Sequence, residues 1–202
     1  EIGSEAIPYL ARMLRKKESW TGRVYRSQWP RLPDRVKRWL PRPIDPARRH
    51  VDAATCLSRL AFSYKTAIPP LVESLKDPKI EKRLIAVRAL RDIGPKSGEI
   101  TAALITAARD ADPDIQREAV GALWEFIRAA DDRSRVTPAV PLLIEAIGNP
   151  IRDVRHDAMY ALRDLGPDAR PAVPSLLATL KHPSSSKDDR IDAACALGCI
   201  DS

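Results

Sequence analysis

A block reading apolar-Pro-x-Leu, then a turn, then Ala-Leu-x-x-apolar-Gly recurs along this chain and limits its fold more than any other feature. One copy runs Ala67-Ile68-Pro69-Pro70-Leu71 and on to Ala89-Leu90-Arg91-Asp92-Ile93-Gly94. Another runs Ala139-Val140-Pro141-Leu142-Leu143 and on to Ala161-Leu162-Arg163-Asp164-Leu165-Gly166. Self-similarity at a period of this size marks a stack of helix pairs, each burying its apolar face against the next. The expectation is an all-α, right-handed α-solenoid, an architecture that presents a surface.

Aligning on the second-helix leucine gives five pairs, anchored at Leu57, Leu90, Leu123, Leu162 and Leu197. The matching first-helix ends are Leu14, Leu75, Ala108, Ile147 and Leu180. The two marks lie 15 residues apart in the second, third and fourth pairs, 17 in the fifth and 43 in the first. The first pair therefore holds an insertion, placed at 18–46, and the units fall near 1–61, 62–94, 95–130, 131–166 and 167–202. Each first helix carries Pro near its expected first turn (Pro8, Pro69, Pro141, Pro174), where the missing N–H costs nothing. Ile68, Leu71, Val72 and Leu75 form one helical stripe. Gly94 and Gly166, each followed by Pro, read as helix stops. The third unit departs from this pattern, its second helix running on through Ile127 and Arg128.

These residues resemble the HEAT family, in particular the short bacterial repeats of the phycobilin-lyase type, over 1–17 and 47–200. The resemblance implies a ladder between neighbouring units, made by an Asp in the turn and an Arg six residues later. Asp77 with Arg83 matches that spacing, and Asn149 with Arg155 is a variant. Asp110 with Gln116 and Ser184 with Arg190 depart from it, so the ladder is expected to break there. It also implies that second helices line the concave side. The residues after the anchoring leucines then make a column of Ser58, Arg91, Trp124, Arg163 and Gly198, beside a second column of Thr55, Arg88, Gly121, Tyr160 and Cys195. Arg91, Trp124, Arg163, Arg88 and Tyr160 are the candidate binding residues, because exposed Trp and Arg dominate recognition surfaces. Gly121 is expected to leave a gap beside Trp124. The competing arrangement turns Trp124 inward, with Arg91 and Arg163 paired to Asp92 and Asp164.

Charge is concentrated in the insertion. Residues 15–49 carry twelve Lys or Arg against three acidic residues, a local net of +9 that leaves −2 for the rest of a chain whose total is +7. The stretch interleaves Arg23, Arg26, Arg31, Arg35, Lys37 and Arg38 with Trp20, Trp29 and Trp39. Five prolines between Pro30 and Pro46 forbid one continuous helix. Two roles suit it: a cap over the open end of the solenoid, or a grip on a phosphate backbone with stacking on bases. In both, the positive field draws anionic partners.

His50, His156 and His182 fall in separate units, with no partner at a catalytic or metal-ligating spacing, and the eight glycines form no phosphate loop. No metal or cofactor is expected. Cys56, Cys195 and Cys199 sit in helical patterns and read as reduced core thiols of a cytoplasmic protein. No run of eighteen apolar residues is present to span a membrane. The chain opens at Glu1 with a repeat already under way at Ala6-Ile7-Pro8, as a processed or excised piece would. The expected function is a non-enzymatic scaffold binding an acidic protein or peptide along the concave face. Nucleic-acid binding is the alternative, and the resemblance adds DNA-glycosylase-like and bilin-lyase-like activities as minor ones.

Overall fold

The computed structural model describes residues 2–15, 24, 27–32, 34–37, 45–61, 63 and 65–200. Among them there is no strand. The first helix of each pair is α1 (Ile2–Arg15), α3 (Ile68–Ser74), α5 (Gly98–Ala107), α7 (Val140–Ala146) and α9 (Val173–Lys181). The second helices are α2 (Pro46–Ala61), α4 (Ile80–Ile93), α6 (Pro113–Ala129), α8 (Arg152–Leu165) and α10 (Lys187–Ile200). Each first helix packs on its own second helix, and the second helices form a continuous layer in chain order. The fold is an α-solenoid.

The repeated block folds into a repeated conformation. Ala67, Ala139 and Ala172 precede α3, α7 and α9 with φ of −80°, −79° and −81° and ψ of −15° in all three. All three are fully buried, so a larger side chain has no room there. The proline that follows sits in the first turn of each helix, as its spacing predicts. Pro8 does not: α1 starts at Ile2, so Pro8 lies inside the helix. Gly94 and Gly166 close α4 and α8 with φ of +79° and +57°, a left-handed turn that glycine adopts without a Cβ clash.

Leu57, Leu90, Leu123 and Leu162 are completely buried. Each contributes about 1.5–3 kcal/mol by leaving water. Leu197 in the last pair is only half-buried.

The ladder is continuous across the units where breaks were expected. Asp77, Asp110 and Asn149 each turn their side-chain oxygen onto the backbone N–H two residues on, at 3.0, 2.9 and 2.9 Å, fixing three equivalent turns. Arg83 then donates twice to Asp110, at 2.7 and 2.9 Å, and to its own turn at the Asp77 and Pro78 carbonyls. Gln116 serves both functions that Arg serves elsewhere, because an amide donates and accepts. Its Nε2 donates to the Asp110 carbonyl at 2.6 Å, and its Oε1 accepts from Asn149 at 3.0 Å. Arg155 bypasses Ser184 and reaches Asp189 twice at 3.1 Å, while Ser184 bonds to His182 instead.

The thiols correct a second expectation. Cys56, Cys195 and Cys199 are all exposed, not core residues. The last two lie on α10, whose buried side is taken by Asp189, Asp192, Ala193, Ala196 and Ile200.

Candidate functional site

The proposed column separates into two clusters. Arg88 and Arg91 of α4 both turn to Glu118 of α6, at 3.4 and 2.6 Å, and Arg91 also lies 3.9 Å from Glu125. Arg91 is thus tied to α6 and not to its neighbour Asp92. Only 10% of the Glu118 side chain is exposed, so this carboxylate is committed to holding α4 against α6.

Trp124, Tyr160 and Arg163 gather in the groove between α6 and α8. Trp124 is half-buried, neither fully turned in nor fully presented. Its Nε1 donates to Asp164 at 2.8 Å, which pins the ring across the helix interface. Its ring meets Tyr160 edge-on, with centroids 5.5 Å apart at 65°, a favourable quadrupolar arrangement. Arg163 lies over the Tyr160 ring at 4.1 Å and bonds to Asp164 at 3.0 and 2.9 Å. Burial works against the Arg163 charge, but the Asp164 hydrogen bond and the surrounding charges, that of Asp164 foremost, together outweigh it and hold the guanidinium protonated. His156 stacks behind Tyr160 at 4.3 Å and bonds through Nδ1 to Asp192 of α10 at 2.8 Å.

Three residues outside the predicted set complete the site. Arg128, one turn beyond Trp124, lies 5.8 Å over the indole, and no carboxylate of the described residues is within 4 Å of it. Arg133 donates to the Leu165 carbonyl at 2.6 Å and lies 3.9 Å from Asp168. With Asp164 they line an open cleft of about 540 Å³ whose remaining walls are Trp124, Ile127, Ala130, Tyr160 and Arg163. Three guanidiniums face one carboxylate, and that carboxylate already accepts from Trp124 and Arg163.

The gap expected at Gly121 is filled. Asp157 of α8 stands there, its Oδ2 3.3 Å from where a Cβ on Gly121 would be. Burial raises the Asp157 pKa, with the neighbouring Asp153 and Glu125 charges adding to it and those of His156 and Arg117 opposing it.

Of the insertion residues, Trp20, Arg23, Arg26, Arg38 and Trp39 lie outside the described residues, as does the Arg35 side chain. Trp29 is half-buried in a short turn, Trp29–Arg31, and Arg31 is exposed. Lys37 reaches back to the Pro30 carbonyl at 3.3 Å and to Asp34 at 3.5 Å.

A solenoid of helix pairs whose second helices form one exposed layer, stitched by a turn ladder, defines a helical-repeat protein. The family of HEAT repeats matches residues 68–133 and 101–198, and the chain belongs to it. None of the curated proteins matches the chain. Among solved structures, the chain is similar to a designed armadillo repeat protein in complex with the peptide (KR)4, with a TM-score of 0.61 and 17% identity over 98% of this chain and 83% of that one. It is also similar to the complex of CpcE and CpcF of phycocyanin lyase from Nostoc sp. PCC7120, with a TM-score of 0.57 and 20% identity over 96% and 99%. An engineered protein gives a TM-score of 0.55 and 22% identity over 76% and 74%. Identities this low establish the shared fold and nothing finer.

Proposed function

We propose that this protein is a non-enzymatic interaction scaffold that binds an acidic segment of a partner protein in the α6/α8 cleft. The observation that carries this reading is the lining of the cleft: Trp124 and Tyr160 held edge to face beneath Arg128, Arg133 and Arg163. A rigid aromatic floor offers apolar contact at little entropic cost, and guanidiniums on the rim bond carboxylates in pairs. The cleft volume lies within the range that ligand pockets take, roughly 300–1,000 Å³. A designed relative by fold was solved with a (KR)4 peptide. The guanidiniums of this cleft point instead to an acidic peptide.

The test is fluorescence anisotropy with a labelled Glu/Asp-rich peptide carrying one aromatic residue, against a Lys/Arg-rich peptide of equal length. Selective binding of the acidic peptide that is lost in the Arg128→Glu/Arg163→Glu double variant supports the reading. Equal binding of both peptides, or an indifferent double variant, removes it. Displacement of the acidic peptide by duplex DNA, with affinity falling steeply as salt rises, assigns the cation-rich surface to phosphate instead.

A further inference from the structure

The third unit is the one whose second helix breaks the pattern, and the break supplies two of the cations of the cleft. α4 and α8 end at Ile93 and Leu165, where Gly94 and Gly166 turn left-handed. Ile127 stands at the glycine position of α6 and is buried, so the chain has no left-handed turn to stop on and α6 runs on to Ala129. The added turn carries Arg128, which is exposed and lies 5.8 Å over the Trp124 ring. The connection that follows holds a short turn, Arg133–Arg135, and sets Arg133 on the Leu165 carbonyl at the end of α8. Burial of Ile127 accounts for the apolar side of the extra turn. It does not account for a guanidinium without a carboxylate on the open side.

We infer that the α6/α8 cleft recognises a phosphorylated serine or threonine within the partner segment, in preference to plain carboxylates; this rests on the reading of the cleft as a site for an acidic segment. Charge makes the distinction. Arg128, Arg133 and Arg163 line the cleft against Asp164 alone, so two positive charges are left over. Arg163 spends Nε and one terminal nitrogen on Asp164. Arg133 spends one nitrogen on the Leu165 carbonyl, with Asp168 at 3.9 Å from that same nitrogen. Arg128 keeps its whole fork, having no carboxylate partner among the described residues. A carboxylate answers one such charge with two oxygens. A phosphate monoester brings a charge of about −1.5 to −2 and three acceptor oxygens, so it answers two guanidiniums at once. The Trp124 and Tyr160 floor is left to take an apolar neighbour in the same segment. A nucleic-acid backbone also brings phosphates, but in series, and it needs a track of open cations. Beside the cleft that track is closed. Arg88 and Arg91 of α4 are held by Glu118, and Arg152 and Arg155 of α8 by Asp188 and Asp189. One isolated dianion suits the site better than a polyanion.

The test uses the intact chain and one labelled peptide, acidic and carrying an aromatic residue, made with serine, glutamate or phosphoserine at a single position. The phosphoserine form is expected to bind about tenfold more tightly than the glutamate form near neutral pH, as an added hydrogen bond to a charged group does. The margin should narrow at about pH 5, where the phosphate, with a second pKa of about 6, takes back a proton and the glutamate largely does not. Arg128→Gln removes most of the margin, whereas Arg109→Gln, which deletes the same charge from a pair outside the cleft, keeps it. Equal affinity of the phosphoserine and glutamate forms overturns the inference and leaves the acidic-segment reading in place. Failure of all three forms to bind removes that reading, and this inference with it. A margin that Arg128→Gln leaves intact also overturns the inference, as does displacement of the phosphoserine peptide by duplex DNA at equal phosphate concentration.

Discussion

The Trp124 indole donates to the Asp164 carboxylate at 2.8 Å, across the interface of two successive second helices. One carboxylate thereby fixes the aromatic floor of the cleft and neutralises part of its rim, since it also accepts two bonds from Arg163. Asp164→Asn keeps an acceptor for the indole and removes the charge. It is expected to leave the fold intact and to bind an acidic peptide several-fold more tightly. Asp164→Ala leaves the half-buried Nε1 without its acceptor, at a cost of about 1–3 kcal/mol, and shifts the tryptophan emission. Thermal melts, emission spectra and anisotropy on the two variants separate the two roles.

The ion pairs that join successive units differ sharply in their surroundings. Arg83 and Asp110 have side chains 15% and 14% exposed, whereas Arg109 and Glu145, another doubly bonded pair, are 50% and 61% exposed. Water already solvates the second pair, so its removal changes little. Arg83→Ala is expected to destabilise by about 2–3 kcal/mol, within the range for breaking a hydrogen bond to a buried charge. Arg109→Ala is expected to cost about 0–1 kcal/mol, the usual contribution of an exposed pair. Urea melts of the two variants side by side make the comparison.

Acid should open the solenoid at its turns. The Arg83 hydrogen bond holds the Asp110 carboxyl below its ordinary value despite burial. For Asp77 and Asp189, burial pushes upward, but hydrogen bonds and positive neighbours prevail, so both are also lowered. A carboxyl lowered in the folded state adds stability above its unfolded pKa, and that contribution is lost as pH falls through the folded value. Stability should therefore hold down to roughly pH 4 and fall below it. In Asp110→Asn the fall is shallower and starts from a lower plateau. Melting temperatures between pH 7 and pH 2.5 test both points.

The repeat was legible because packing imposes it. A buried Ala before Pro, a Leu at the centre of each second helix and a Gly that must turn left-handed have few substitutes, so they recur as letters. The ladder was legible only where Arg fills it. Gln116 performs the same two functions with different atoms, and Asp189 receives an Arg155 that reaches past the turn. The cleft was half legible. Two columns drawn along the second helices held Trp124, Tyr160 and Arg163, but not Asp164, which the indole reaches on the next helix, or Arg128, one turn beyond Trp124 on the same helix. The cysteines differ from expectation because an Ala-rich helix reads as core on every side, whereas Cys56 lies on the exposed side of α2 and Cys195 and Cys199 on that of α10.

The thiols give a direct check on the exposed sides of α2 and α10. In the native chain Cys56, Cys195 and Cys199 are exposed, so all three should react with a disulfide reagent without denaturant. Three equivalents released promptly are expected. The Cys56→Ser and Cys195→Ser variants should each release one equivalent fewer, which assigns the reactive thiols.

Gly121 and Asp157 form a pair whose coupling can be measured. Gly in a helix interior costs roughly 0.5–1 kcal/mol relative to Ala, so Gly121→Ala should stabilise α6 by that amount if nothing opposed it. The new Cβ would stand 3.3 Å from the Asp157 Oδ2, closer than most such contacts, and would press a carboxylate that burial already disfavours. In the native background the gain is therefore expected to vanish, and in Asp157→Ala it should appear in full. Asp157→Asn alone follows from the same burial. Because the folded carboxyl has a raised pKa, its ionised form weakens the fold at neutral pH, and this penalty disappears as pH drops below the unfolded value. Asp157→Asn should thus raise the melting temperature at pH 7 and leave it unchanged near pH 3.5. A double-mutant cycle run at both pH values reads the two effects together, and a gain from Gly121→Ala that is equal in every background would show that the two side chains do not press on one another.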